Sequence, residues 1–129
     1  MEICRYQQGY NAGQGSKNQA TALAWGYYMA EFNDRIDAFI IRAIADDPAE
    51  TQGGLYLGIH NMSQQKRSAY YVYEYMDSDI DAFCAMKPYE VASDSANHPK
   101  VLEAQEILGS SAWNSRVPGY DKAKLAAMR

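Results

Sequence analysis

The sequence predicts an α/β fold, a βαβα unit with two parallel strands that is followed by additional C-terminal helices. The apolar run Glu2–Tyr6 is typical of a short strand. A serine-capped helical pattern of about sixteen residues follows it after a glycine-rich loop. The nearly continuous apolar run Ile36–Ala45 is typical of a strand covered on both faces, as in a parallel sheet. Parallel strands need a crossover of this kind, which should be right-handed.

The first helix is predicted to run from Ser16 to about Phe32. Ser16, with Gln19 three residues later, matches a capping box, in which two side chains satisfy amides at the start of a helix. Asn33 and Asp34 are suitable stop residues. Apolar residues recur at helical spacing between these ends, at Ala20, Leu23, Ala24, Tyr27 and Phe32.

The middle of the chain continues the alternation of extended and helical segments. Asp46–Gly54 is a polar loop rich in turn formers, and Leu55–His60 is a candidate short extended piece. Ser63 is a candidate cap for a second helix over Gln64–Met76, and Ser78 begins a further helical turn.

Beyond Pro88 the sequence changes to a polar connector and further helices. Pro99 suits the first turn of a third helix that continues through Leu108, and Gly109 suits the position after its end. Residues 121–128 predict a final short helix. We therefore expect one domain overall, in which a helical extension, residues 88–129, packs on the βαβα unit, residues 1–87.

Composition restricts the classes of function. The 129 residues carry a formal net charge of −4, which disfavours nucleic acid, because nucleic acid attracts a basic face. No apolar run approaches the ~20 residues of a membrane span, and no secretory leader is found. Cys4 and Cys84 are too few for a disulfide framework and predict buried structural thiols. The chain has no recognisable cofactor motif and no metal ligands at a useful spacing.

Eleven tyrosines are the other compositional feature. Tyrosine suits sugar and protein partners, although its ring can equally pack while its hydroxyl stays in water. Tyr70, Tyr71, Tyr73 and Tyr75 follow one another on a predicted helix over several faces, which favours packing and an interface over a sugar platform.

Candidate site residues follow the two predicted strands. Ligands of parallel α/β proteins bind at the carboxyl ends of strands. Gln7–Asn11 and Arg42–Asp47 hold these places and face one crevice if the strands are neighbours. Arg42 is either a ligand clamp or a structural partner of Asp46 or Glu50. Asp46 itself belongs to either a solvated turn or a site, and His60 is either a hydrogen-bonded structural residue or a site group.

The order of several short motifs resembles the C-terminal part of a family of glycoside-hydrolase-like (β/α)8 barrels of largely unassigned activity. The motifs, in order, are "QGYN", "QATALAWGYYMA", "IDAFI", "GGLYLGI", "YYVYEYMD" and "ILGSSAWNSRVPGYD". The resemblance spans nearly the whole chain, but it covers only the last quarter to third of such a barrel. It implies a partial TIM-barrel-like unit, in which Tyr6–Asn11 is the end of the seventh barrel strand and its loop. It also implies that related full-length proteins are secreted.

The resemblance implies an oligosaccharide ligand and a set of substrate-binding residues: Gln7, Tyr10, Asn11, Arg42, Asp46 and His60. Members of the family tend to have a glutamate at the position of Gln7, where related sugar hydrolases keep a catalytic carboxylate. They also tend toward a His-Arg pair and an Asp-His turn where this chain has Arg42–Ala43 and Asp46–Asp47. Because an amide is neutral and a poor nucleophile, we expect Gln7 to bind sugar hydroxyls without replacing that carboxylate.

The length of the chain raises the question of how its sheet is completed. Two parallel strands do not make a stable sheet, and a complete barrel takes about 250 residues. We expect one of three arrangements: a homo-oligomer, a separate polypeptide that supplies the missing barrel portion, or a fragment of a longer protein. The alternative to a carbohydrate-related function is a non-catalytic oligomerisation or protein-interaction module.

Overall fold

The computed structural model describes residues 12–31 and 33–109. The predicted strand Glu2–Tyr6 and the predicted helix over residues 121–128 lie outside these ranges. In the described part of the chain, a 3-10 turn at Ala12–Gln14 comes first. It is followed by α1 (Ser16–Glu31), β1 (Ala43–Ala45), α2 (Pro48–Gln52), β2 (Gly58–His60), α3 (Ser68–Tyr75), α4 (Ile80–Ala85), α5 (Pro88–Val91) and α6 (His98–Leu108).

Helix α1 confirms the predicted first helix at both ends, but the predicted capping box is wrong. Gln19 is only 1 % exposed, and its side-chain Nε2 donates to the carbonyl oxygen of Gly58 at 3.0 Å. The first turn closes on the Gly15 carbonyl, which accepts from the amides of Asn18 and Gln19. In a capping box the Gln19 side-chain oxygen would accept from a backbone amide at the helix start, whereas here the side chain is turned to donate from Nε2 to a buried carbonyl of β2, which would be costly to leave unpaired.

The described part of the chain contains a parallel sheet of two strands. The predicted neighbour of β1, Glu2–Tyr6, lies outside the described residues, so its pairing with β1 stays a prediction. In the described residues β1 pairs with β2, with Ala43 opposite Gly58 and Ala45 opposite His60. The extended piece predicted at Leu55–His60 thus supplies a strand. Among the residues that the structure describes, the strand predicted over Ile36–Ala45 pairs over its last three residues, Ala43–Ala45.

A short helical crossover joins the two strands. Helix α2 begins after Asp47, whose carboxylate accepts from the backbone amide of Ala49 at 2.7 Å, and Pro48 occupies its first turn. Both features suit a helix start, because Asp satisfies free amides there and proline lacks one. The twelve residues between Ala45 and Gly58 provide the length that a parallel connection requires.

Helix α3 begins later than the predicted helix Gln64–Met76, and Ser63 does not cap it. The Asn61 carboxamide accepts from the amide of Gln65 at 2.9 Å, and Gln64 has a positive φ of 61°. This turn returns the chain toward β2, where Lys66 forms an antiparallel bridge with His60. The helix can start only after that bridge. Asp79, rather than Ser78, caps α4 by accepting from the amide of Ala82.

Helices α1, α3 and α6 enclose the core, and α6 matches the predicted third helix within one residue. Tyr75 stacks on the Phe83 ring with centroids 4.0 Å apart, which joins α3 to α4. The largest fully buried apolar side chains are those of Tyr71, Phe83, Leu23, Ile107, Leu108, Val72 and Val101. Across residues 12–31 and 33–109, no helix combines the length and the apolar character that crossing a membrane requires.

Candidate functional site

The carboxyl ends of β1 and β2 lie side by side, so the segments that follow Ala45 and His60 share one edge of the sheet. This is the place where parallel α/β proteins bind ligands. Of the predicted site residues, Arg42, Asp46 and His60 lie in the described chain. The other three, Gln7, Tyr10 and Asn11, lie outside the described residues.

Asp46 forms a buried ion pair with Arg67. The guanidinium donates Nη2 to Asp46 Oδ2 at 2.6 Å and Nη1 to Asp46 Oδ1 at 3.0 Å, a two-pronged geometry that fits a carboxylate. Asp46 Oδ1 also accepts from the backbone amide of Gly58 at 2.9 Å. The exposed fractions of the two side chains are 2 % for Asp46 and 13 % for Arg67.

Arg67 extends this ion pair to the backbone of β2. Its Nη1 also donates to the carbonyl oxygens of Gly58 and His60, at 2.5 and 3.4 Å, and its own amide donates to the Ile59 carbonyl at 2.9 Å. The ion pair therefore joins the end of β1, the length of β2 and the start of α3. With its oxygens engaged in this way, Asp46 holds the strand ends in place and presents little surface to a ligand.

Two opposing effects act on the pKa of Asp46. Burial raises it, but the hydrogen bonds from Arg67 and Gly58 and the charge of Arg67 outweigh burial, so the pKa lies below its ordinary value of 3.8. The folded state therefore holds this proton less tightly than the unfolded state does. The stability that the carboxylate contributes is complete above pH 3.8 and is lost as the pH falls through the lowered pKa.

We expect the stabilising effect of Asp46 to disappear in acid. In urea unfolding followed by circular dichroism, the difference in unfolding free energy between the wild type and Asp46→Asn should be largest at neutral pH and shrink below pH 4. Asp47→Asn is the comparison variant at neutral pH, where it should lose less stability than Asp46→Asn, because Asp47 is an exposed helix cap without the Arg67 partner and asparagine also caps helices. An Asp46→Asn difference that is constant from pH 7 to pH 2.5 contradicts the assigned ion pair.

Arg42 pairs with Glu50, which is one of the two structural partners considered from the sequence. Its Nε donates to Glu50 Oε1 at 3.1 Å, and its Nη2 contacts the same oxygen. The Arg42 side chain is 48 % exposed, so this pair lies at the surface and contributes little to stability. Arg42 immediately precedes β1, so it lies at the start of that strand and not at its carboxyl end, where the sequence predicted it, and it retains solvent-facing donors.

His60 is held at the end of β2 by its ring. Its Nδ1 lies 3.2 Å from the Ile44 carbonyl oxygen, and its ring meets Tyr70 edge to face with centroids 5.0 Å apart. Lys66 Nζ lies 4.2 Å from the centroid of the Tyr70 ring, a cation–π contact. His60 is therefore a hydrogen-bonded residue that also borders the surface feature described next.

A groove of about 610 Å³ lies between the residues leading into β1 and helix α3; we call it the sheet-edge groove. Its apolar lining comes from Phe39, Ile40, Ile41, Ile44 and Ile59. Its polar lining comes from His60, Tyr70, Tyr73 and Glu74. An open apolar groove with a few polar groups on one side has the general composition of a binding site.

Two other kinds of chemistry have no support in the described residues. Within residues 12–31 and 33–109, no group of three or more His, Cys, Asp or Glu side chains could hold a metal ion. Burial, followed by the nearby carboxylates of Asp94 and Glu74, raises the pKa of Tyr71 to about 12. Tyr71 is 1 % exposed, so its hydroxyl stays protonated as part of the core and is unsuited to acid–base chemistry.

Sequence reasoning missed Arg67 and Glu74. Arg67 carried no local signal, because it lies 21 residues from Asp46 and outside every motif. Glu74 did carry one, because it follows Tyr70 by four residues and therefore shares its helix face. The tyrosine run is divided by that face: Tyr70 and Tyr73 line the groove, whereas Tyr71 is in the core.

Comparison with protein families found a match over residues 2–114 to DUF5722, described as a family of unknown function. The chain belongs to the DUF5722 family. Comparisons with curated proteins and with solved structures found no match. The match to DUF5722 includes Gln7, Tyr10 and Asn11, which lie outside the described residues, but the family description assigns no activity to them.

Proposed function

We propose that this DUF5722 chain contributes sugar-binding groups to a glycoside-hydrolase-like α/β barrel and does not hydrolyse sugars by itself. The observation that carries the proposal is the polar side of the sheet-edge groove, where His60, Tyr70, Tyr73 and Glu74 lie together beside the end of β2. The resemblance of the motif order to such barrels supports the same function.

The chemistry of the groove suits a carbohydrate. Tyrosine rings offer apolar faces for the C–H side of a sugar, and their hydroxyls offer hydrogen bonds at the same time. Glu74 makes no ion pair with any described residue, and it can accept charge-assisted hydrogen bonds from sugar hydroxyls. Arg42 is a sequence neighbour of the residues that line the groove, and its partly exposed side chain offers hydrogen-bond donors.

The number of accessible carboxylates in the groove supports binding without catalysis. Hydrolysis of a glycosidic bond requires two carboxyl groups that face the bond. Glu74 is the single carboxylate that lines the groove among the described residues, and Asp46 is enclosed by Arg67 and Gly58. The proposal also assigns Gln7, Tyr10 and Asn11 to this site, as the loop after a further parallel strand. Residues 1–87 then form a barrel-end unit, on which residues 88–129 pack.

We expect an oligosaccharide to raise the melting temperature saturably, and Glu74→Gln to weaken its binding. The probes are β-1,4-linked hexasaccharides of glucose, xylose and N-acetylglucosamine, measured by thermal shift and by calorimetry. Replacing the carboxylate by an amide should weaken sugar binding about tenfold, because a charge-assisted hydrogen bond of about 1.5–3 kcal/mol is exchanged for a neutral one of about 0.5–1.5 kcal/mol. Glu106→Gln is the matched control, since Glu106 is exposed on α6 and pairs with Lys17. Unchanged affinity in Glu74→Gln, or no saturable shift with any probe, contradicts the proposal.

A second candidate function is a protein-interaction module, and the exposure of two isoleucines favours it. Ile40 is 61 % exposed and Ile44 is 68 % exposed, although both belong to the extended segment that ends in β1. Large apolar side chains grouped on one exposed face mark interaction surfaces. The two functions are compatible, because a partner that extends the sheet would also complete the walls of a sugar site.

A further inference from the structure

The polar wall of the sheet-edge groove carries one carboxylate that no described cation neutralises. Glu74 is exposed on α3 and lines the groove, and it makes no ion pair with any residue of the ranges 12–31 and 33–109. Within the described chain, no lysine or arginine side chain lines the groove. The wall therefore presents a negative charge to a ligand, and such a wall attracts a positively charged group.

The positive side chains that neighbour this wall have other partners. Arg42 follows the lining residue Ile41 in sequence and pairs with Glu50. Lys66 Nζ lies over the Tyr70 ring, 4.2 Å from its centroid. An ammonium group over a tyrosine face is a cation–π contact. The tyrosine cluster of α3 thus already holds one ammonium group of the chain itself, and that group leaves Glu74 unpaired.

The charge of Glu74 acts on the tyrosines around it. Burial, followed by the charges of Glu74 and Tyr70, raises the pKa of Tyr75 above its ordinary value of 10.0. Glu74 acts in the same direction on the raised pKa of Tyr71, after burial and the charge of Asp94. Because this field disfavours further negative charge on α3, it disfavours an acidic ligand in the groove and favours a positive one.

Tyr73 is the groove tyrosine whose ring is free for a sugar. Its side chain is 41 % exposed, and its ring makes no aromatic or cation–π contact with a described residue. The Tyr70 ring, by contrast, is contacted by Lys66 over its face and by His60 edge to face, with ring centroids 5.0 Å apart. A sugar ring on Tyr73 would have the Glu74 carboxylate beside it, because both side chains line the same groove.

His60 adds a second hydrogen-bond acceptor to the groove. Its Nδ1 lies 3.2 Å from the Ile44 carbonyl oxygen, and a carbonyl can only accept, so Nδ1 carries the proton of the neutral ring. Nε2 then keeps a lone pair, and it has no hydrogen-bond partner among the described residues. Both His60 and Glu74 therefore require donors from a ligand. The hydroxyl and amine groups of a sugar are donors, whereas a sugar carboxylate is not.

We infer that the sheet-edge groove binds an amino sugar, whose protonated amine pairs with Glu74 and whose ring stacks on Tyr73. The ammonium group satisfies the carboxylate through charge-assisted hydrogen bonds, and the C–H face of the sugar packs on the tyrosine ring. A uronic acid would instead place a like charge beside Glu74. This inference rests on the proposed function and narrows the sugar to a class with basic substituents.

Three hexasaccharides that differ in one substituent test the sugar class. β-1,4-linked glucosamine, glucose and glucuronic acid carry positive, no and negative charge at about pH 7, since amines comparable to an α-amino group have a pKa of about 7.7–8.0. By calorimetry at low salt, the wild type should bind the glucosamine hexamer about tenfold more tightly than the glucose hexamer, and the glucuronic acid hexamer more weakly than either. Salt at about 1 M should reduce these differences by screening.

Two glutamine variants test whether Glu74 causes the preference. The preference for glucosamine over glucose should disappear in Glu74→Gln and persist in Glu106→Gln, since Glu106 is exposed on α6 and pairs with Lys17. Tyr73→Ala should weaken binding of all three hexamers, whereas Tyr89→Ala should not, although Tyr89 on α5 is 59 % exposed. Equal effects of the two alanine variants would remove Tyr73 from the site.

The outcomes separate this inference from the proposed function. If the glucose hexamer binds but the glucosamine hexamer binds no more tightly, the amino-sugar assignment is wrong and the proposed function stands. The same conclusion holds if the preference survives in Glu74→Gln, or if both glutamine variants lose it. If no hexasaccharide binds, both the inference and the proposed function fail.

Discussion

Arg67→Ala should lower the free energy of unfolding by about 3–5 kcal/mol, the cost of breaking a buried ion pair from one side. The substitution leaves the Asp46 carboxylate, 2 % exposed, without its counter-charge. It also removes the donor to the carbonyl oxygens of Gly58 and His60. The end of β1, the strand β2 and the start of α3 would thus lose their common partner. Urea unfolding followed by far-ultraviolet circular dichroism measures the loss.

Arg42→Ala is the matched control for Arg67→Ala. Both arginines pair with one carboxylate, but the Arg42 side chain is 48 % exposed and its partner is Glu50, eight residues away. An exposed pair of this kind contributes less than about 1 kcal/mol. If the two alanine variants lost similar stability, burial of the Asp46–Arg67 pair would not be its important feature. Arg67→Lys should recover only part of the loss, since an ammonium cannot reproduce the two-pronged contact.

The contrast between these two ion pairs also explains what the sequence could predict. Glu50 was a foreseeable partner of Arg42, because only eight residues separate them and a short loop brings them together. Arg67 was not foreseeable as the partner of Asp46. Its position depends on the turn at Asn61–Gln65, on the bridge between Lys66 and His60 and on β2. A pair between sequence neighbours, such as Arg42 and Glu50, can be predicted from local sequence. The Asp46–Arg67 pair depends on the tertiary structure.

The helices show the same difference between local signals, which the sequence carries, and tertiary contacts, which it does not. Helices α1 and α6 were predicted closely, because spacing of apolar residues and their flanking stop or start residues are local signals. The start of α3 was misplaced, because Ser63 has the properties of a cap but lies in a turn that the bridge to β2 requires. The pairing of β1 with β2 was not predicted, since pairing between distant strands is not encoded in either strand alone.

The candidate site was predicted to a similar extent. The sequence placed the candidate site at the ends of parallel strands, and it named His60, which borders the sheet-edge groove. It placed the tyrosines of α3 on several helix faces, but it did not identify which of them lie in the core and which line the groove. The face that carries Tyr70, Tyr73 and Glu74 becomes distinct only once the position of β2 relative to α3 is known.

The close approach of the two strands yields the second large effect, at Gly58. A Cβ atom on Gly58 would lie 2.4 Å from the carbonyl carbon of Ala45 and from the amide nitrogen of Asp46, and 2.5 Å from the His60 carbonyl oxygen. All three are backbone atoms and cannot rotate away. The Gly58 amide is also the donor that Asp46 Oδ1 accepts, so displacing the strand disturbs the buried ion pair as well.

Gly58→Ala should therefore destabilise the fold by about 3 kcal/mol or more, at the upper end of the range for overpacking. Gly53→Ala is the matched control: its Cβ would meet only the Glu50 carbonyl oxygen, at 3.4 Å, and its φ of −85° suits alanine. That variant should change stability by less than about 1 kcal/mol. Urea unfolding of both variants, with Asp46→Asn in parallel, measures the comparison. Equal stability of the two alanine variants would mean that β1 and β2 are not so closely apposed. The assignment of the candidate site to the edge that these two strands share would then be wrong.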